Sequence, residues 1–171
     1  VLRYLTKKYN IVLIFDEVMT GFRTNLGGAQ VDIGIIPDMT CLGKIIGAGF
    51  PIGAYGGRKD IMKHLAPLGG VYQAGTFAGN PVVLKAGLAG LKNLNGAFYE
   101  ELNRKSEKFA AGINAYFKKY SIEAFMSHYR SMLSLRFRER DVADYSQAQE
   151  ASCTETYSRL FKRLLQAGIY W

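Results

Sequence analysis

The sequence predicts an α/β protein, with a parallel-sheet strand and a glycine-rich, site-bearing region first and ordinary helix and strand after it. Three observations predict it. The run Ile11-Val12-Leu13-Ile14-Phe15 is apolar without alternation and β-branched at three of five positions, the pattern of a strand covered on both faces of a parallel sheet. Seventeen of the 19 glycines and all four prolines precede residue 98, so unusual backbone conformations are concentrated in the first part. Beyond that point the apolar residues settle into plain helical and period-two spacings.

Taken in order, Val1-Leu2-Arg3-Tyr4-Leu5 suits the last turns of a helix, and the strand over 11–15 ends at Asp16-Glu17. Ligands of open α/β sheets sit beyond the carboxyl ends of strands, so an acidic residue there is placed where chemistry happens. Short strands are expected over Met39–Leu42 and Gly53–Gly56. Asn80-Pro81 reads as an N-cap followed by an N1 proline, opening a helix that stops near Gly96. A long helix follows from Phe98 to Tyr120, with Glu100 and Glu101 in its first turn and Lys118 and Lys119 in its last, both suiting the helix dipole. Met132-Leu133-Ser134-Leu135-Arg136-Phe137 alternates as a half-buried strand. Ser152 and Glu155 have capping-box spacing for a helix carrying Tyr157, Leu160, Phe161, Leu164 and Leu165 and closed by Gly168. The glycine and proline count marks a change of architecture near residue 98.

Composition removes several classes. At 171 residues a chain buries roughly 70% of its unfolded surface and needs no staple. Cys41 and Cys153 form no disulfide framework, which fits a reducing compartment, and with two histidines they give no metal-ligand spacing. No apolar run reaches the roughly 20 residues of a membrane span, and no basic-then-apolar leader is present. The net charge of +8 is spread over both halves rather than gathered into a track for phosphates, so a nucleic-acid-binding module explains little. It would also leave the glycines unexplained. Both termini interrupt apolar elements, so the chain is expected to be a piece of a longer one, lacking an N-terminal part and a C-terminal end.

Two phosphate motifs fail. Gly43-Lys44 has Asp38 and Ile45 where a Walker loop needs Gly and Ser or Thr, and Gly47-Ala48-Gly49 has Ile52 where a dinucleotide fingerprint needs its third Gly. What remains is Asp16 at a strand end, Lys44 in apolar, glycine-rich surroundings, and the Gly75-Thr76 turn. Desolvation of Lys44 would suit a Schiff-base nucleophile. A buried Asp16 would keep a pyridine nitrogen protonated, the electron sink of pyridoxal phosphate (PLP) chemistry. On these residues alone, Lys44 also reads as a surface lysine, Asp16 as a helix cap or metal ligand, and Thr76 as a turn cap.

The stretches Ile14-Phe15-Asp16-Glu17-Val18-Met19-Thr20-Gly21-Phe22-Arg23, Gly27-Gly28-Ala29-Gln30, Leu42-Gly43-Lys44-Ile45-Ile46-Gly47-Ala48-Gly49-Phe50-Pro51 and Tyr72-Gln73-Ala74-Gly75-Thr76 together resemble class III aminotransferases of PLP fold type I. The likeness is dense from about 11 to 96 and looser beyond. It implies that 1–120 is the cofactor-binding half of that fold's large domain, a mostly parallel sheet with helices on both faces, ending in a long helix, and that 121–171 is the start of a small α+β C-terminal domain. It implies that Lys44 forms the Schiff-base link to PLP and moves protons between substrate carbons, that Asp16 holds the pyridinium nitrogen, and that Val18 packs on the ring. It implies a homodimer in which Gly75 and Thr76 reach the cofactor phosphate of the neighbouring subunit. Met-Thr-Gly-Phe-Arg, Gly-Gly-Ala-Gln and Tyr-Gln-Ala-Gly-Thr resemble the branch that moves an amino group within one molecule. For that branch the expectation is an isomerase turning glutamate-1-semialdehyde into 5-aminolevulinate for tetrapyrrole (porphyrin) biosynthesis, cycling through pyridoxamine phosphate. The alternative is a transaminase passing an ω-amino group to an external keto acid. The family's remaining phosphate loop, ring-stacking aromatic and substrate-carboxylate contacts would precede Val1. The expected location is the cytoplasm, or the plastid in a plant or alga.

Overall fold

In the computed structural model, which describes residues 1–171, the chain divides into two compact units, Val1–Asn103 and Arg104–Trp171. The first opens with helix α1 (Leu2–Lys8) and strand β1 (Ile14–Asp16), followed by the short helix α2 (Ala29–Asp32) and strand β2 (Met39–Gly43). A 3₁₀ turn, Lys44–Gly47, leads to β3 (Gly53–Gly57), α3 (Lys59–Met62) and α4 (Pro81–Leu91). The sheet order is β1-β2-β3. No helix is long and apolar enough to cross a membrane.

β1 pairs with β2 in parallel, Asp16 opposite Cys41. The expected α/β class is what the structure has. β3, in contrast to β1, runs antiparallel to β2, with Gly43 opposite Gly53, so the three strands of this sheet make one parallel and one antiparallel pairing. The reason is length: only residues 44–52 join the two strands, and a parallel crossover needs a dozen or more. The first strand also differs from its expected span of 11–15. Leu13 donates its N–H to Asp38 Oδ2 at 2.8 Å and its carbonyl accepts the N–H of Asp38 and of Met39, so the ladder proper begins at Ile14. Nor is it covered on both faces, since Ile14 is 52% exposed and its main packing partner is β2.

Asp38 is the knot at the amino end of β2. Beyond the Leu13 N–H, its carboxylate receives Arg3 at 3.0 Å and Arg58 at 3.0 Å, tying α1, β2 and the end of β3 together. These donors hold its carboxyl well below the usual carboxylate range, the Leu13 backbone N–H contributing most. Arg58 also pairs with Asp60.

Helix α4 starts as expected. Asn80 Oδ1 accepts the N–H of Val82 at 3.0 Å and of Val83 at 3.2 Å, with Pro81 at N1. It ends at Leu91, however, and Gly96 begins the next helix rather than stopping this one. That helix, α5 (Gly96–Lys119), carries Lys118 and Lys119 in its last turn. Asn95 Oδ1 caps it through the Phe98 N–H at 3.0 Å. The earlier start moves Glu100 and Glu101 into the second turn.

The two units divide within α5, earlier than residue 120. The later part of this helix belongs to the hairpin of β4 (Phe125–Tyr129) and β5 (Met132–Arg136). Asn114 holds Met126 at both backbone groups, accepting its N–H at 2.7 Å and donating to its carbonyl at 3.0 Å. The unit closes with α6 (Tyr145–Glu150), capped by Asp144, and α7 (Thr154–Gln166). The expected capping box of Ser152 and Glu155 is absent: the N-cap is Cys153, without a side-chain cap bond, because its thiol donates to Thr156 Oγ1 instead. The C-terminus follows expectation. Gly168, at φ +77°, closes a Schellman motif in which Ile169 N–H reaches Leu164 O and Gly168 N–H reaches Leu165 O.

Candidate active site

Asp16 ends β1 and Lys44 follows β2 directly. Because these strands are parallel neighbours, both residues arrive at the carboxyl edge of the sheet, the position at which α/β folds bind ligands. Asp16 Oδ1 accepts the Val18 N–H at 3.0 Å, and its other oxygen has no protein donor. Val18 leans over β2: a Cβ on Gly43 would stand 3.1 Å from Val18 Cγ1, so the glycine makes room for it.

Asp16 and Lys44 are both exposed. The desolvation expected of the lysine, and the burial expected of the carboxylate, are therefore not properties of this chain by itself. Both residues stand at the rim of a three-stranded sheet, where solvent reaches them.

Lys44 is held in an unusual conformation, with φ +46°, in the left-handed region. Such a conformation costs a non-glycine residue on the order of 1 kcal/mol and persists only where its surroundings dictate it. Two more left-handed residues, Ala48 at φ +48° and Gly49 at φ +99°, complete the turn. Gly47 is buried within it, and a Cβ there would meet Ile52 Cγ2 at 2.8 Å.

The residue that sequence reasoning passed over is Glu17, next to Asp16. It is 2% exposed. Its carboxylate accepts the N–H of Ala29 at 2.7 Å, the N–H of Gln30 at 2.8 Å and the hydroxyl of Thr20 at 2.7 Å. It thus folds the whole segment after Asp16 back on itself. A buried acid beside a strand end is a signal a sequence contains, but only the partners, up to 13 residues away, reveal what it does.

Two cavities of ≈ 690 Å³ flank the lysine segment. One is lined by Lys44, Ala48, Phe50, Gly90 and Leu94; the other by Cys41, Tyr55, Gln73, Gly75 and Phe77. Asp16 and Val18 line neither. The structure therefore brings Asp16, Val18 and Lys44 to one sheet edge, while Gly75 faces the other cavity and Thr76 lies beside it on an exposed turn.

A pyridine ring bearing an aldehyde asks for a carboxylate at its nitrogen, an apolar cover and an amine at the aldehyde. Asp16 with one unpaired oxygen, Val18 and Lys44 are that donor set, and they fit such a group. Gly75 and Thr76 offer a backbone N–H and a hydroxyl, suitable for a phosphate.

Comparisons with known proteins bear on the chain as a whole. The profile of the family described as "Aminotransferase class-III" matches residues 1–170. Among curated proteins, the chain is 47% identical over 171 residues to a glutamate-1-semialdehyde 2,1-aminomutase of Alkaliphilus metalliredigens, covering 99% of this chain and 39% of that protein. Among solved structures, it resembles an omega-transaminase from Sphaerobacter thermophilus, with TM-score 0.88 and 32% identity over 99% of this chain and 39% of that one. It also resembles a transaminase with PLP bound, at TM-score 0.84 and 26% identity, covering 99% and 39% of the two chains. The chain thus spans about two-fifths of the length of the curated relatives it matches. On the strength of the family match along its whole length, this chain belongs to the class-III aminotransferases.

Proposed function

We propose that the protein bearing this chain is an isomerase that converts glutamate-1-semialdehyde into 5-aminolevulinate, with PLP held at the Asp16–Lys44 edge. The observation that carries the reading is the 47% identity, sustained along the chain, to an aminomutase of that name. The omega-transaminase reaches 32%. Substrate and product are isomers, so the reaction gains and loses no atoms.

When bound, PLP supplies a carbonyl for amines and a ring that withdraws electrons. The rest is the work of the side chains. Asp16, through the oxygen left free of Val18, holds a proton on the ring nitrogen. Val18 covers one ring face and excludes water. Lys44 Nζ anchors the cofactor and carries a proton between adjacent substrate carbons as a general base and acid. Gly75 and Thr76 are read as donors to the cofactor phosphate of a neighbouring subunit, which makes the working form a homodimer. The expected setting is tetrapyrrole synthesis in the cytoplasm.

The test is 5-aminolevulinate formation from the semialdehyde with neither amino donor nor keto acid added. Turnover under these conditions supports the isomerase; an absolute need for a keto acid assigns the protein to ω-transamination instead. Lys44→Ala should abolish the borohydride-stable cofactor adduct, and persistence of the adduct would refute the lysine's role.

A further inference from the structure

Helix α4 approaches the lysine turn more closely than side chains allow. A Cβ built on Gly87 would lie 2.2 Å from the carbonyl oxygen of Ile46, and one on Gly90 would lie 2.7 Å from the Cβ of Ala48. Gly87 is buried. The two glycines are one helical turn apart, so together they form a flat strip of backbone against which the segment 46–48 rests. The turn contains Lys44 and Ala48, both left-handed without being glycine. Left-handed residues relax unless neighbouring structure holds them. Within this unit, α4 is the element that packs most extensively against the turn, with smaller contributions from β2 and β3.

We infer that Gly87 and Gly90 are positioning residues that press the Lys44–Gly47 turn into the conformation presenting the lysine amine to the cofactor. The inference rests on the reading of Lys44 as the cofactor lysine. The two contacts differ in kind. At Gly87 the obstacle is backbone, which cannot be trimmed; at Gly90 it is the Ala48 methyl, which can. Replacing Ala48 by glycine removes that methyl and suits φ +48°.

The experiment compares Gly87→Ala, Gly90→Ala, the double variant Gly90→Ala/Ala48→Gly, and Gly112→Ala as a control with open space around it. Two readouts separate presentation of the amine from formation of the cofactor site. Capture of pyridoxal phosphate by Lys44 is followed as the borohydride-fixed mass adduct. Affinity for pyridoxamine phosphate, which makes no bond to the lysine, is followed by fluorescence titration. Gly87→Ala should slow capture at least tenfold while pyridoxamine phosphate affinity stays within twofold. Amide exchange over 44–48 should quicken alongside. Gly90→Ala should slow capture less, and Ala48→Gly should restore it.

Capture at the wild-type rate in Gly87→Ala overturns the inference, as does an equal loss for both cofactor forms, which would mark a general folding defect. If Gly87→Ala does not fold, the Gly90 pair decides, and failure of Ala48→Gly to restore capture overturns the inference. An adduct that survives in Lys44→Ala strikes the reading of the site itself, so the two failures are distinguishable.

Discussion

The carboxylate of Glu17 occupies the space where a side chain at Gly28 would begin: a Cβ there would stand 2.3 Å from Glu17 Oε2. Gly28 also sits at φ +72°, so conformation and space both demand glycine. Glycine at 28 lets the chain pass close enough for the next two N–H groups to reach the acid. The loop after Asp16 is thus built around one buried charge.

Glu17→Ala should therefore destabilise the protein by about 2 kcal/mol, because two part-buried N–H groups and the Thr20 hydroxyl lose their carboxylate acceptor. Gly28→Ala should cost about 2 kcal/mol or more through its left-handed φ and the blocked approach. Denaturant titration measures both, and a loss under about 0.5 kcal/mol in either would contradict the geometry.

Asp38 makes a pH prediction. Its carboxyl is held well below the usual range, by the Leu13 N–H first and by Arg3 and Arg58 next, so the folded protein keeps the charge where the unfolded chain takes up a proton. The stabilisation is complete above the unfolded value near pH 4 and drains away as pH falls towards the lowered folded one. Asp38→Asn should be less stable at neutral pH, and its stability should fall less steeply between pH 4 and 2. An unchanged slope across that interval would remove Asp38 as the cause.

The two helix starts give a matched pair. Asn80→Ala should cost about 1 kcal/mol, since Asn80 satisfies the N–H of both Val82 and Val83. Ser152→Ala should change stability by less than about 0.5 kcal/mol, because no side chain caps α7. A large loss at Ser152 would show that the capping box forms after all.

At the other end of α7, Gly168→Ala should destabilise by about 1 kcal/mol by forcing an alanine to φ +77°. The melting temperature would fall accordingly, and an unchanged one would mean that the chain reverses by another route.

Local chemistry was what the sequence made legible. Asp16 and Lys44 could be picked out because strand ends and glycine-rich turns are written in neighbouring residues, and the Asn80-Pro81 start is a two-residue signal. Strand β4 was not legible, for Phe125-Met126-Ser127-His128-Tyr129 contains neither alternation nor a β-branched residue. What makes it a strand is its pairing with β5 and the side chain of Asn114 gripping Met126. The Asp38 knot was hidden for a similar reason, since Arg3 and Leu13 lie 35 and 25 residues from it. Exposure of Lys44 was misjudged because apolar neighbours in sequence do not guarantee cover in space. Whether an amine is desolvated depends on what packs over it.

The antiparallel run of β3 has one more consequence. Gly43 and Gly53 are register partners, so the stretch that carries Lys44 leaves from and returns to the same rung of the sheet, like a ring closed by a clasp. A ring of fixed circumference has nowhere to hide an extra link. One residue inserted between 44 and 52 would turn the lysine away rather than be absorbed in slack. Drift elsewhere, provided it spares the α4 glycines that bear on the turn, would leave its aim unchanged. Evolution can therefore lengthen the loops at 63–79 far more freely than this one, and the segment 43–53, together with the helix α4 that bears on it, is the natural unit to graft intact when such a site is moved to another scaffold.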